Sequence, residues 1–452
     1  MHFSLRRRPT LRAARLGATV TLIALTLTSL TNAARPQSNS LPVALRDAGL
    51  RLGERIPARP DSGVVHYSAP PRSLKPSARV TAGLPAPAPP AAATAAPAPP
   101  APAAPRPPTR QVLGFAPYWT LDTWREWRLQ DLSAIAFFAV TVDGDGNTVA
   151  DESWPSWQGQ ELTDMVDTAH RAGVKVLVTV KCFDDDQLNS ILTDADNLRR
   201  AERTATDLAR MRNLDGVVVD FEGLNDHPGM RQGMSEYVAG LRAGLNAWKP
   251  GTQVVVATYT SSAKYGDGLF DIRAMTPSVD AFFVMAYDMQ GDNTPGHASS
   301  TAPLQAGQFN DTDTVSQYLS VTSPDKVILG VPYYGYKWSV NSPDRNAEVS
   351  GDPEPTTYSQ MLSDFACAQS LGWHDGGSMP WATWYSPAAG DPCGANLGTW
   401  RELYFDSATT IGQKYDLVNR SNLRGTGMWA LGFDSGHAEL WDTLESHVTA
   451  AH

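Results

Sequence analysis

Residues 214–223 read Leu214-Asp215-Gly216-Val217-Val218-Val219-Asp220-Phe221-Glu222-Gly223. A short, almost wholly apolar run of this kind is the pattern of a strand buried on both faces. Successive strand side chains alternate, so Asp220 and Glu222 share one face, about 6.5 Å apart along the chain. Burying an unpaired carboxylate is costly, and two neighbouring carboxylates push their pKa values apart. Such a pair can keep one acid protonated at neutral pH while the other stays ionised. The plainer alternative is a strand end whose acids bind a helix N-terminus or a neighbouring arginine.

The pattern repeats outward from this stretch. Apolar strand-like runs occur at 112–116, 134–140, 174–181, 214–221, 252–259, 280–286, 326–332 and 425–431. Amphipathic helical stretches lie between them, among them 159–171, 196–212, 230–247, 312–320 and 408–420. Fully apolar short runs separated by such helices predict parallel strands covered by helices. Eight units predict an α/β chain folded as a (β/α)8 TIM barrel. A doubly wound open sheet is disfavoured, because no glycine-rich phosphate loop follows any strand. The interval between the seventh and eighth strands is too long for an ordinary connection. It predicts a small α+β insertion at about 336–424, rich in aromatics: Trp338, Trp381, Trp384, Tyr385, Trp400, Tyr404 and Phe405.

Several stretches resemble family 18 of the glycoside hydrolases, the chitinases and their relatives. Asp215, Asp220 and Glu222 match the first, third and last positions of the family signature Asp-x-x-Asp-x-Asp-x-Glu, with Val218 at the second. Residues 111–119 (Gln-Val-Leu-Gly-Phe-Ala-Pro-Tyr-Trp) look like the family's first strand, and 282–288 (Phe-Phe-Val-Met-Ala-Tyr-Asp) like its Met-x-Tyr-Asp strand. Residues 327–335 resemble the seventh strand and 425–432 the last. Within the family, the run 400–406, Lys414 and residues 424–427 are most similar to the bacterial spore-germination and cell-wall-lytic branch.

The resemblance implies a retaining, substrate-assisted hydrolase of β-1,4-linked N-acetylglucosamine (GlcNAc) polymers: chitin, chito-oligosaccharides or peptidoglycan. Glu222 would be the proton donor. Asp220 would orient the substrate's acetamido group and stabilise the positive cyclic intermediate, and Tyr287 would donate its hydroxyl to the acetamido carbonyl. Trp429 would form the floor beneath the sugar, with Trp119, Tyr118 and Trp384 as further substrate contacts. Asp215, at the start of its strand, and Met285 are expected as support. For Asp288, capping the following loop and acting near Glu222 remain equally open. Val218 removes the second acid of the signature, which keeps a non-catalytic, lectin-like barrel open as the rival; the retained Glu222 favours an enzyme.

Composition limits the rest. Residues Arg6, Arg7, Arg8, Arg12 and Arg15 precede an apolar run from Leu16 to Leu30 and small residues at 31–33. This predicts a cleaved export signal over 1–33 and a secreted or envelope-associated protein. Residues 34–110 lack periodicity and turn almost purely Ala and Pro from Pro85 to Pro108, the composition of an extended spacer. The globular part is therefore expected at 111–448. Loss of 1–33 removes five arginines and no acid, moving the formal charge from −10 to −15. That argues against nucleic acid or an anionic membrane as partner, and a monomer acting on a GlcNAc-containing polysaccharide is expected. Neither cofactor nor metal is expected, since no Cys or His spacing suggests a metal site. Of Cys182, Cys367 and Cys393, the last two are the preferred disulfide pair, although three pairings are possible. His227 and His297 lie in loop-like sequence that carries no catalytic mark.

Overall fold

The computed structural model describes residues 110–370, 374–375 and 380–449, and no side chain between 369 and 379. The expected export signal and the spacer up to residue 109 lie outside the described residues. The strands, in chain order, are β1 (Gln111–Pro117), β2 (Ala134–Val142), β3 (Thr148–Val149), β4 (Lys175–Cys182), β5 (Gly216–Phe221), β6 (Gln253–Tyr259) and β7 (Ala281–Met285). They continue with β8 (Val327–Pro332), β9 (Tyr334–Val340), β10 (Glu354–Thr357), β11 (His374–Asp375), β12 (Trp381–Ser386), β13 (Thr399–Tyr404) and β14 (Gly425–Trp429).

Eight of these close into a parallel barrel in the order β1-β2-β4-β5-β6-β7-β8-β14, with β14 pairing back onto β1. β3 is a short antiparallel ribbon on β2. The (β/α)8 barrel is thus the architecture of the chain. Its strands form where the sequence is Val, Ile, Leu and Phe on both faces, because one face meets the barrel interior and the other the helices. Phe221 shows which face is which: its ring stacks on Tyr237 of the covering helix Met230–Trp248, centroids 5.0 Å apart. Val218, Asp220 and Glu222, of opposite parity, therefore face the interior.

Helix Ala195–Met211 illustrates the local coding. Asp194 caps its start, accepting from the N–H groups of Asp196 and Asn197, and Leu198, Ala201, Ala205, Leu208 and Ala209 make its buried stripe. Inside the barrel, Phe283 of β7 fills the space that glycines leave on β8 and β14. A Cβ at Gly330 would come within 2.6 Å of its ring, and one at Gly427 within 2.8 Å. Phe115 meets the same ring edge-on at 4.8 Å.

The long interval holds a second, antiparallel sheet in the order β10-β9-β13-β12-β11, with helix Tyr358–Ser370 packed against it. A disulfide joins Cys367 in that helix to Cys393 (Cα–Cα 5.9 Å), and Cys182 is a buried free thiol. The insertion is shorter than expected at its C-terminal end. Helix Ala408–Arg420 packs on β8 and β14 as a barrel helix, so the extra subdomain runs from β9 to about Asp406. A buried ion cluster marks that junction. The Lys414 ammonium donates to Asp406 (2.7 Å) and to the carbonyl of Ala302 (2.6 Å), and lies 3.3 Å from Asp311.

Candidate active site

Barrel strands present their C-terminal ends together, and the sequence-singled acids lie at that mouth. Asp220 is the penultimate residue of β5 and Glu222 follows its end. Asp220 is 4% exposed, and its Oδ1 has no hydrogen-bond partner among the described residues. Burial pushes its carboxyl up to about 7, with the Lys181 ammonium pulling the other way. Glu222 is raised well above the usual carboxylate range, by burial first, then by the charges of Asp220 and Asp288. The two acids therefore titrate as a pair, both held above the usual carboxylate range.

The loop after β7 adds the next groups. Asp288 sits in the left-handed backbone region (φ 60°) and is buried. Its Oδ1 accepts from Tyr334 Oη (2.6 Å), Tyr336 Oη (2.8 Å) and Thr301 Oγ1 (3.1 Å). Burial lifts its carboxyl to about 6 against those three donors. Asp288 thus combines both expected roles, bonded into the local loop and close enough to Glu222 to raise it electrostatically. Tyr287 packs edge-on against Tyr334 (5.8 Å), and burial followed by the charges of Asp220, Asp288 and Glu222 holds its hydroxyl protonated. Met285 is buried at the end of β7.

Trp429 ends β14, half-buried, with Phe138 edge-on at 4.5 Å and Trp119 at 6.4 Å. Tyr118 leans on Trp119 (4.8 Å) and donates to Glu152 (3.2 Å). These rings form one aromatic wall. Trp384 is not part of it: it lies in β12 of the insertion, 2% exposed and opposite Arg401. With so little of its ring accessible it packs the insertion, which corrects the expected sugar contact. Asp215 is likewise apart from the acids, as expected. It faces the helices and binds His170 Nε2 (2.8 Å), Lys249 Nζ (3.1 Å) and the Val176 N–H (3.0 Å). Burial alone would raise its carboxyl, but those donors and charges hold it below the usual value.

Several site residues escaped the sequence reading. Tyr334 and Tyr336 come from the insertion's first strand, and only the Tyr-Tyr-Gly-Tyr run after β8 hinted at them. Tyr259, at the end of β6, has its hydroxyl raised by burial and by the nearby charges of Glu222 and Asp220. Lys181 shares the inward parity of its strand and pairs in register with Asp220, a position that alternation along β4 would have exposed.

Comparison with known proteins places this geometry in context. The sequence model of glycosyl hydrolases family 18 matches residues 112–434. An endochitinase of Brugia malayi is 22% identical over 306 residues, which are 63% of this chain and 58% of that protein. A di-N-acetylchitobiase of mouse is 23% identical, over 62% of this chain and 79% of the relative. The match to a probable endochitinase of Caenorhabditis elegans covers only 39% of that protein, so the chain spans about half the length of some of the relatives it matches. Among solved structures, a family 18 chitinase of Cycas revoluta bound to (GlcNAc)3 superposes with a TM-score of 0.62 at 16% identity. That superposition covers 75% of this chain and 99% of that one. The spore cortex-lytic enzyme of Bacillus cereus superposes with a TM-score of 0.59 at 16% identity, over 75% and 74% of the two chains. These likenesses share the barrel, and the family match extends over the strands that carry every acid described above. The chain belongs to glycosyl hydrolases family 18.

Proposed function

We propose that this protein is an exported hydrolase of β-1,4-linked GlcNAc polymers that uses Glu222 as proton donor and the substrate's own acetamido oxygen as nucleophile. The observation that carries the reading is the acid pair at the barrel mouth: Asp220, buried at the end of β5, and half-buried Glu222 just beyond it, both on the inward face and both raised above the usual carboxylate range. Membership of the family supports the reaction class, and the Arg-rich start followed by an apolar run supports export.

The chemistry follows from the groups in place. Glu222 gives its proton to the glycosidic oxygen as the C1–O bond breaks and positive charge grows at C1. The acetamido carbonyl oxygen closes on C1, forming a cyclic cation. Asp220, ionised, accepts the acetamido N–H and stabilises that cation, while Tyr287 donates to the acetamido oxygen. Asp288, held by three hydroxyl donors, keeps a second negative charge behind Glu222 and so favours its protonated state. Water then opens the ring, and Glu222 takes the proton back. The wall of Trp429, Phe138 and Trp119 offers the apolar faces on which a pyranose stacks.

The test is product analysis on chito-oligosaccharides and on purified peptidoglycan, with NMR of the first-formed anomer. Cleavage with retained β configuration is expected. Glu222→Gln is expected to lose about 10²–10⁴-fold in rate while still binding oligosaccharide. An α product, or equal turnover by the variant, overturns the assignment.

A further inference from the structure

Lys181 has no role in the mechanism above, yet its positive charge acts on both Asp220 and Glu222. It lies on β4 at the position paired in parallel register with Asp220, so the two side chains rise from the same face at the same height. Its ammonium sits 5.8 Å from the ring centroid of Phe138 and 5.3 Å from that of Phe183. Phe138 in turn packs on Trp429. Lys181 is half-buried, and among the described residues its ammonium makes no hydrogen bond or ion pair. Three N–H donors and a full positive charge are therefore aimed into the cleft rather than used to build the fold.

One layer deeper, the same two strands pair Thr179 with Val218, both fully buried. Val218 offers no carboxylate there, and Thr179 Oγ1 has no partner among the described residues. Val218, the inward residue beneath Asp220 on its own strand, has no group that could share a proton with it. The charges of Asp220 and Glu222 reach the hydroxyls of Tyr259 at the end of β6 and Tyr287 after β7, and Asp288 acts on Glu222. On the far side of Lys181, β2 contributes Thr141, whose hydroxyl is engaged by Asp151. Glu222 thus feels the charges of Asp220 and Asp288, with Lys181 opposing them.

We propose that Lys181 is the positioning residue of the acid pair: its ammonium, opposite Asp220, keeps the pair singly protonated, with the charge on Asp220 and the proton on Glu222. A cation at this place stabilises whichever acid ionises first, and Asp220 is the one in register with it. The tyrosine hydroxyls stay protonated throughout and carry no counter-charge. Lys181 does for Asp220 by direct attraction what a second acid below could do only by trading a proton. The aromatic seat matters as well, since Phe138 and Phe183 hold the ammonium by cation–π attraction without quenching its charge.

This inference rests on the hydrolase reading above, and its test separates the two. Wild type, Lys181→Met and Lys181→Arg are compared on a neutral chito-oligosaccharide across pH 4–10. Removing the cation raises Asp220 and Glu222 together, so the whole bell of kcat/KM against pH moves upward by about one unit. On the acid limb Lys181→Met loses about tenfold in kcat, KM changes little, and Lys181→Arg restores the wild-type profile. An unchanged profile, or a loss confined to KM, overturns the proposal and makes Lys181 a substrate contact only. If wild type cleaves no GlcNAc polymer, the hydrolase reading fails, but the electrostatic claim is still decided. The Asp220 carboxyl is followed by ¹³C NMR in the Glu222→Gln background, which removes its coupled partner, with and without Lys181→Met. An upward shift of about one unit sustains the proposal and coincident curves refute it. Should Lys181→Met not fold, Lys181→Gln carries the same comparison.

Discussion

Asp220→Asn should make the protein more stable at alkaline pH, and the structure gives the sign and the scale. Asp220 is buried with one oxygen unpartnered, and its carboxyl is pushed from 3.8 up to about 7. Between those pH values the native state holds a proton that the unfolded chain has released. Stability therefore falls as pH rises through this window, and the loss is complete above about 7. The gap is about three pH units at roughly 1.4 kcal/mol each, so ionised Asp220 costs on the order of 4 kcal/mol at pH 8. A neutral amide of the same shape removes most of that cost. A domain of roughly 340 residues unfolds with an entropy near 0.7 kcal/mol/K, which converts the gain into about 3–6 °C of melting temperature. Scanning calorimetry of wild type and Asp220→Asn at pH 8 and pH 4 makes the comparison. The variant is expected to melt higher at pH 8 and level with wild type at pH 4. A variant equal to or below wild type at pH 8, or a difference independent of pH, refutes the argument that the site is held ionised against its burial.

Two further outcomes follow from the packing. Lys414→Met leaves Asp406 and Asp311 buried without their shared cation, and should destabilise by about 3–5 kcal/mol in denaturant melts at pH 8. The deficit should shrink toward pH 5, because Asp311, raised to about 7 mainly by burial, is protonated there. Cys367→Ser opens a disulfide spanning 26 residues, for which the chain-entropy estimate is about 3.5 kcal/mol. The expected sign is faster proteolysis within the insertion, with the barrel's cooperative melt unchanged.

Much of the barrel was legible because its strands are short apolar runs whose two faces are both buried, a pattern with few other uses. Predicted strand 425–431 and observed Gly425–Trp429, or predicted helix 408–420 and observed Ala408–Arg420, differ by a residue or two at most. Alternation along one strand likewise put Asp220 and Glu222 on the inner face. Where the pattern weakened, so did the reading. The aromatic run after β8 continues without a break into the helix before β14, so the sequence draws the insertion out to residue 424, although that helix packs on β8 and β14 as part of the barrel.

What the amino-acid order determined by itself was periodicity: which residues share a face, where helices start, and which acids lie at a strand end. These depend on neighbours two to four positions away. Only the tertiary structure decided which strands stand side by side, and the site is built from exactly that information in four places. Register across β4 and β5 sets Lys181 opposite Asp220. The return of β9 beside the loop after β7 brings Tyr334 and Tyr336 onto Asp288, more than forty residues away in sequence. Barrel closure seats Trp429 against Phe138, and folding of the insertion buries Trp384 away from all of them. A charge or a ring acts through distance, and distances between segments are fixed by how the strands pack and close, which periodicity along one segment does not encode.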